Sequence, residues 1–136
     1  MRHLIATIAA AAALLAVEPA MAQWRTSEPF PKIRWKTCRI ETAAYTGSCK
    51  TTVFTLLDGS LNLHFDLDDT GLRGLTWGIS TPPEGSDVFP VILTAERFGE
   101  RTIRYSSGEC RVAQQEIFCI THDGLQTAVA RNRLPD

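Results

Sequence analysis

The amino-acid sequence predicts an all-β fold, a small antiparallel sandwich or barrel of about eight short strands stapled by two disulfides. Three observations carry that prediction. Apolar and polar residues alternate with period 2 along most of the chain after residue 32, as in Leu61, Leu63, Phe65 and Leu67 against Asn62, His64 and Asp66. Turn residues recur at intervals of roughly 8–12 residues, the spacing of a sandwich or barrel. Four cysteines, Cys38, Cys49, Cys110 and Cys119, form an even set with no closely spaced pair.

The elements follow in order. Residues 23–32 hold two prolines and no periodicity, and read as an extended lead-in to a single β-rich domain over 33–136. Ile33, Trp35 and Thr37 alternate with Arg34, Lys36 and Cys38, the pattern of a first strand. Cys49–Leu57 is rich in β-branched and aromatic residues that suit a pleated surface. Asp58-Gly59 then turns the chain into the Leu61–Leu67 strand, which makes the two a hairpin. Asp69-Thr70-Gly71 turns it again into a strand through Leu75, Trp77 and Ile79. Ser80–Asp87 is a loop, since Pro82-Pro83 and Gly85 exclude regular pairing. Val88–Glu96 is a strand in which Pro90 favours an edge or a bulge. Gly99 leads into Arg101–Ser106, Ser107-Gly108 turns into Cys110–Val112, and Glu116–Thr121 follows. Asp123-Gly124 is the last hairpin signal before Leu125–Arg133.

The first 22 residues predict export. Arg2 and His3 give a basic start, Leu4–Val17 carries no charge, Pro19 breaks the run, and Ala20-Met21-Ala22 forms an A-x-A cleavage site before Gln23. The apolar run is shorter than the roughly 20 residues that span a bilayer, so no transmembrane anchor is expected after cleavage. Removal of 22 residues from 136 leaves 114, the length of one ordinary domain. An alanine-rich signal points to a bacterial periplasm as the destination.

Cysteines in an exported chain pair as disulfides. Local pairing, Cys38 with Cys49 and Cys110 with Cys119, suits the geometry best. If Gln114-Gln115 form a two-residue turn, Cys110 falls opposite Cys119 at a non-hydrogen-bonded position, where strands approach closely enough for a bridge. Each local bridge would contribute roughly 3 kcal/mol. Long-range bridges would contribute more, so energy alone leaves the connectivity open. The wide spacing argues against zinc.

Charge is nearly balanced, 14 Lys and Arg against 15 Asp and Glu in the whole chain, which gives no reason to expect nucleic acid as a partner. The distribution is uneven. Residues 23–50 carry net +4 and residues 51–96 net −6, blocks that can pair with each other in the fold. Lys32, Arg34 and Lys36, joined by Arg39, make a candidate anion patch for an anionic polymer or lipid headgroup, with Trp35 interleaved. The same residues would also serve as a charged edge that discourages strand-to-strand aggregation.

Leu61–Leu72 (LNLHFDLDDTGL) resembles the first motif of the haloacid-dehalogenase-type phosphatases, an apolar strand ending in D-x-D-x-T. The resemblance would make Asp66 a nucleophile and Asp68 a general acid/base beside magnesium. That family's chemistry implies a parallel sheet with crossover helices and a downstream lysine. Here no helical segment follows Thr70, and the last lysine is Lys50, so the motif lacks its context. The same residues match the opening of a calcium loop, but its twelfth position is Trp77 where a bidentate Glu is needed. His64, Asp66 and Asp68, with Asn62, share one strand face and form a candidate site for calcium or another divalent metal. No cofactor is otherwise expected.

Loops on a rigid β scaffold often carry function. The Ser80–Asp87 loop and its neighbours (Trp77, Pro82, Pro83, Glu84 and Phe89) form a candidate ligand rim. His122, beside the Asp123-Gly124 turn, reads as a turn residue. No G-x-S-x-G elbow or complete catalytic constellation is present. The reading that results is a small secreted, non-enzymatic β module that binds a protein or cell-envelope component. A metal-dependent or dispersed-site hydrolase using the His64–Asp68 strand is the alternative, and a purely structural envelope protein is a third.

Overall fold

A computed structural model of the chain describes residues 32–57 and 60–135. The signal peptide expected over 1–22, the lead-in expected over 23–32 except Lys32, and the expected Asp58-Gly59 turn lie outside the described residues. The described residues all belong to one compact unit, Pro31–Asp136.

Nine strands run in order: β1 (Lys32–Glu41), β2 (Thr46–Ser48), β3 (Thr51–Leu57), β4 (Ser60–Asp66), β5 (Gly74–Ile79), β6 (Val88–Arg97), β7 (Arg101–Val112), β8 (Glu116–Thr121) and β9 (Thr127–Arg133). From β3 onward each strand pairs antiparallel with the next, β1 pairs with β3, and β1 also pairs with β9 from Trp35↔Arg133 to Glu41↔Thr127. That last pairing closes the sheet into an eight-stranded antiparallel barrel, with β2 as an extra strand on β1. Of the two architectures the sequence allows, the barrel forms. Closure leaves β1 paired on both edges, so its lysines and arginines do not guard a free edge; that expectation is corrected.

The inward faces fill the barrel. Leu61, Leu63 and Phe65 of β4 are buried as their alternation predicts. Trp77, Phe65, Phe89, Leu63, Leu75 and Ile117 are the bulk of the interior, each contributing about 1.5–3 kcal/mol by burial. Strand β5 is buried on both faces, because its outward residues are Gly74, Thr76 and Gly78. A Cβ on Gly78 would sit 2.7 Å from Leu93 Cγ, so glycine there lets the Leu93 side chain lie across the strand.

Two irregularities reset which residues face inward. In β1, Arg34 pairs with Thr51 and Arg39 with Ser48, so Trp35–Cys38 runs opposite only Cys49-Lys50. Lys36 and Thr37 both face out, and the inward phase passes from Ile33 and Trp35 to Cys38 and Ile40. The simple alternation puts Thr37 inside and Cys38 outside, and the extra residues reverse both. In β6, Ile79 pairs with Val91 but Gly78 with Leu93, so Ile92 is the bulged residue. Phe89 and Val91 face in, and beyond the bulge Thr94 and Glu96 do. Pro90 lies just past the end of the β5 pairing, where its carbonyl accepts Ser80 N–H at 2.9 Å. Strand β7 runs unbroken through Ser107-Gly108, against the expected turn. Gly108 is small for a packing reason: its Cβ would lie 2.3 Å from Ile120 O.

The disulfides pair locally, Cys38–Cys49 and Cys110–Cys119, with Cα separations of 4.9 and 4.0 Å. Cys110 lies directly opposite Cys119, and Ala113 N–H bonds Glu116 O at 2.8 Å, which is the Gln114-Gln115 turn and its parity. Both bridges are buried on the inward face. Between them runs β9, whose inward residues are Ala128 (opposite Cys119) and Ala130 (opposite Cys38). Only small side chains fit beside two cross-strand sulfur pairs. Two such bridges belong to a chain that matures in an oxidising, extracytoplasmic environment.

Candidate functional site

The turns at 42–45, 67–73, 98–100 and 122–126 lie together at one end of the barrel. Strands there end in polar residues, and the inward phase of β6 beyond its bulge brings Thr94 and Glu96 into the interior. A cleft of about 530 Å³ opens at this mouth, lined among others by Glu41, Glu96, Arg104, Tyr105, Asp123 and Gln126. Tyr45 and Phe98, from turns on opposite walls, stack with ring centroids 4.8 Å apart across this end of the barrel, beside the cleft.

Glu96 is 5% exposed and Gln126 equally so. Thr94 Oγ1 donates to Gln126 Oε1 at 2.7 Å, which orients the amide so that Gln126 Nε2 donates to Glu96 Oε1 at 3.0 Å. Gln126 is held by its backbone as well, its N–H donating to Thr121 Oγ1 at 3.1 Å. Thr121 in turn donates to Asp123 Oδ1 at 2.6 Å, and that carboxylate also accepts Leu125 N–H at 3.0 Å. Those bonds, the Thr121 hydroxyl first, hold the Asp123 carboxyl below the usual range. The second oxygen of Glu96 has no hydrogen-bond partner among the described residues, and none of their ion pairs reaches it. No family model, curated protein or solved structure matches the chain. Site assignment therefore rests on geometry.

A second polar cluster lies on the outer wall. His64, on β4 opposite Thr76, bridges Thr55 Oγ1 from Nε2 and Thr76 Oγ1 from Nδ1, each at 2.8 Å. Arg97 donates from Nε to Thr76 Oγ1 at 3.1 Å, from Nη2 to Asp66 Oδ1 at 2.9 Å, and from Nη1 to Gly71 O. The Asp66–Arg97 pair is nearly buried, with side chains 6% and 16% exposed. Burial, and then the Arg97 charge, push the His64 imidazole down to about 4. Gly74 makes the arrangement fit, since a Cβ there would lie 2.1 Å from Phe65 O and 3.0 Å from Arg97 Nη2.

The structure separates several residues that the sequence groups together. Asp66 is engaged by Arg97, His64 by two threonines, and Asp68 by Thr70, whose hydroxyl and N–H both donate to Asp68 Oδ1. Those bonds hold the Asp68 carboxyl below its usual range. His64, Asp66 and Asp68 are thus each engaged separately, and among the described residues no group of three His, Cys, Asp or Glu side chains converges on a metal position. The phosphatase-like string likewise sits on an antiparallel barrel wall. Of the expected ligand rim, Pro82, Pro83 and Glu84 lie in the loop, but Trp77 and Phe89 are 0% and 1% exposed inside the barrel, because both take the inward phase. Lys32, Arg34, Lys36 and Arg39 are all exposed on β1. Lys32 Nζ donates to Asp69 O at 3.1 Å and Arg39 pairs with Glu41 at 3.0 Å. Trp35 is not part of that surface: it is buried and its Nε1 donates to Thr52 Oγ1 at 2.9 Å.

Glu96 and Gln126 are absent from the residues singled out by sequence. Simple alternation along Val88–Glu96 places Leu93 inside and Thr94 outside, and only the Ile92 bulge reverses this. Pro90 was the one signal that could have warned of it.

Proposed function

We propose that the protein is a secreted, non-enzymatic binding module of the bacterial periplasm, and that it takes a cell-envelope component at this end of the barrel. The export pattern of residues 1–22 and the two disulfides support the destination. One observation carries the binding reading: a cleft of about 530 Å³ has the buried Thr94–Gln126–Glu96 chain at its base. Small-molecule sites are concave, of roughly 300–1,000 Å³, with few, fixed polar groups. An eight-stranded barrel is wide enough to hold its own side chains or one small ligand. This one holds side chains through its middle and has the cleft at its mouth.

Hydrolysis has less support. The nitrogens of His64 face threonine hydroxyls, and no carboxylate orients the ring. Ser107 Oγ lies 3.2 Å from His122 Nδ1, but both residues are exposed and no described carboxylate meets the other ring nitrogen. Among the described residues no helix is long and apolar enough to cross a membrane.

Titration of isotopically labelled, disulfide-intact protein with soluble peptide, sugar and lipid-headgroup fractions of the cell envelope tests this reading. The expected result is saturable shifts confined to Thr42, Glu96, Arg104, Gln126 and their neighbours. Shifts on the outer wall alone, no shifts with any fraction, or turnover of a fraction would each refute it. Amino-terminal sequencing of the exported protein should begin at Gln23.

A further inference from the structure

We infer that the group received at the barrel mouth is a primary ammonium, bound to the free oxygen of Glu96. This rests on the proposed binding role of the mouth and names its ligand chemistry. Among the described residues Glu96 is the one acidic side chain on the inward face, at 5% exposure, and it lines the cleft. Its Oε1 is fixed by the Gln126 amide, itself fixed by Thr94, so its Oε2 is the open position. No described Lys or Arg forms an ion pair with it. A carboxylate that is mostly buried and forms no ion pair loses much of its hydration, and a ligand cation at the oxygen that still meets the cleft offsets part of that cost.

The rim has the same sign. Asp123 and Glu41 line the cleft, and Asp123 Oδ1 is taken by Thr121 and Leu125 N–H, leaving its other oxygen toward solvent. Glu41 is partly neutralised by Arg39. Hydroxyls of Thr46, Ser106 and Thr127 supply further acceptors for an ammonium, which has three protons to donate. Arg104 is the single cation of the lining. An ammonium could come from a simple amine or from a zwitterionic amino acid, and Arg104 separates the two: it repels the first and receives the carboxylate of the second.

Calorimetric titration of the exported, disulfide-intact protein with 1,4-diaminobutane, L-alanine, 1,4-butanediol and succinate tests the inference. At least one of the two ammonium probes should bind, and the diol and the dianion should bind at least about tenfold more weakly. Glu96→Gln should weaken ammonium binding at least about tenfold, while Glu116→Gln, on the outer wall, should leave it unchanged. Arg104→Gln should strengthen diamine binding and weaken alanine binding. If Glu96→Gln fails to fold, the carbon shift of the wild-type Glu96 carboxyl decides, and it should move with the bound ammonium. The inference is overturned if Glu96→Gln melts like wild type and binds the ammonium probe equally. It is also overturned if no ammonium probe binds at about 10 mM, or if the diol or succinate binds as tightly. If the diol or succinate binds at the mouth as tightly as the ammonium probes or in their place, the ammonium assignment falls while the mouth remains a binding site. Shifts elsewhere only would remove both.

Discussion

Lowering the pH should destabilise the barrel through His64 specifically. Arg97 Nε already donates to Thr76 Oγ1, so the Thr76 hydroxyl turns its proton toward His64 Nδ1, and the neutral imidazole donates from Nε2 to Thr55. A second ring proton would face an oxygen that already accepts from a guanidinium, beside a positive charge and away from water. Burial and Arg97 accordingly lower the pKa from 6.5 to about 4, against the opposing pull of Asp66. The unfolded chain therefore binds the proton more readily between those values. Stability from this group is fully present above pH 6.5 and is lost as pH falls toward 4. A shift of that size corresponds to about 3 kcal/mol at roughly 1.4 kcal/mol per unit. Urea unfolding at pH 7 and pH 4 should show the midpoint falling by about 1–3 M. His64→Gln should flatten that dependence, and the ring carbon resonance of wild type should titrate near 4. A ring that titrates between 6 and 7, or a His64→Gln variant with the same pH dependence as wild type, would refute the reasoning.

Other substitutions probe the core and the bridges. Replacing Cys110 and Cys119 by alanine opens a loop of sequence separation 9 and should cost about 2.5–3 kcal/mol in urea unfolding at neutral pH. Gly74→Ala should cost about 2–4 kcal/mol, because the Cβ would sit 2.1 Å from Phe65 O at a φ of 153°. Its Arg97 resonances should shift more than those of the far wall. Trp77→Phe should be nearly neutral, within about 1 kcal/mol. The buried indole N–H has no partner among the described residues, so its removal relieves about 1–3 kcal/mol, offset by about 1 kcal/mol for the void. A loss above about 3 kcal/mol would show that the indole nitrogen is satisfied.

Much of the fold is legible because period-2 alternation and turn chemistry are local. Leu61, Leu63 and Phe65 announce β4, and the two-residue turn at Gln114-Gln115 sets the register that places Cys110 opposite Cys119. What is not legible depends on single-residue backbone events and on long-range closure. One bulge at Ile92 turns Thr94 and Glu96 inward, and the extra residues at Lys36 and Thr37 bring Cys38 into the core. Trp77 and Phe89 look like rim aromatics because of the neighbouring proline-rich loop, yet their phase points them into the barrel. Asp66 looks like a ligand until β6 carries Arg97 against it, a contact 31 residues away in sequence. The pairing of β1 with β9 joins opposite ends of the described chain, and no local pattern encodes it.

The central claim is that the cleft at the end of the barrel, with Glu96 and Gln126 at its base, is where this protein binds. The most direct measurement follows the side-chain amide resonances of Gln126 while 1,4-diaminobutane and L-alanine are added. Gln126 Nε2 donates to Glu96, so a ligand engaging that carboxylate must perturb it. The Gln126 amide should shift saturably with at least one of the two, and the shift should be lost in Glu96→Gln. An unmoved Gln126 amide while another surface of the protein responds would contradict it.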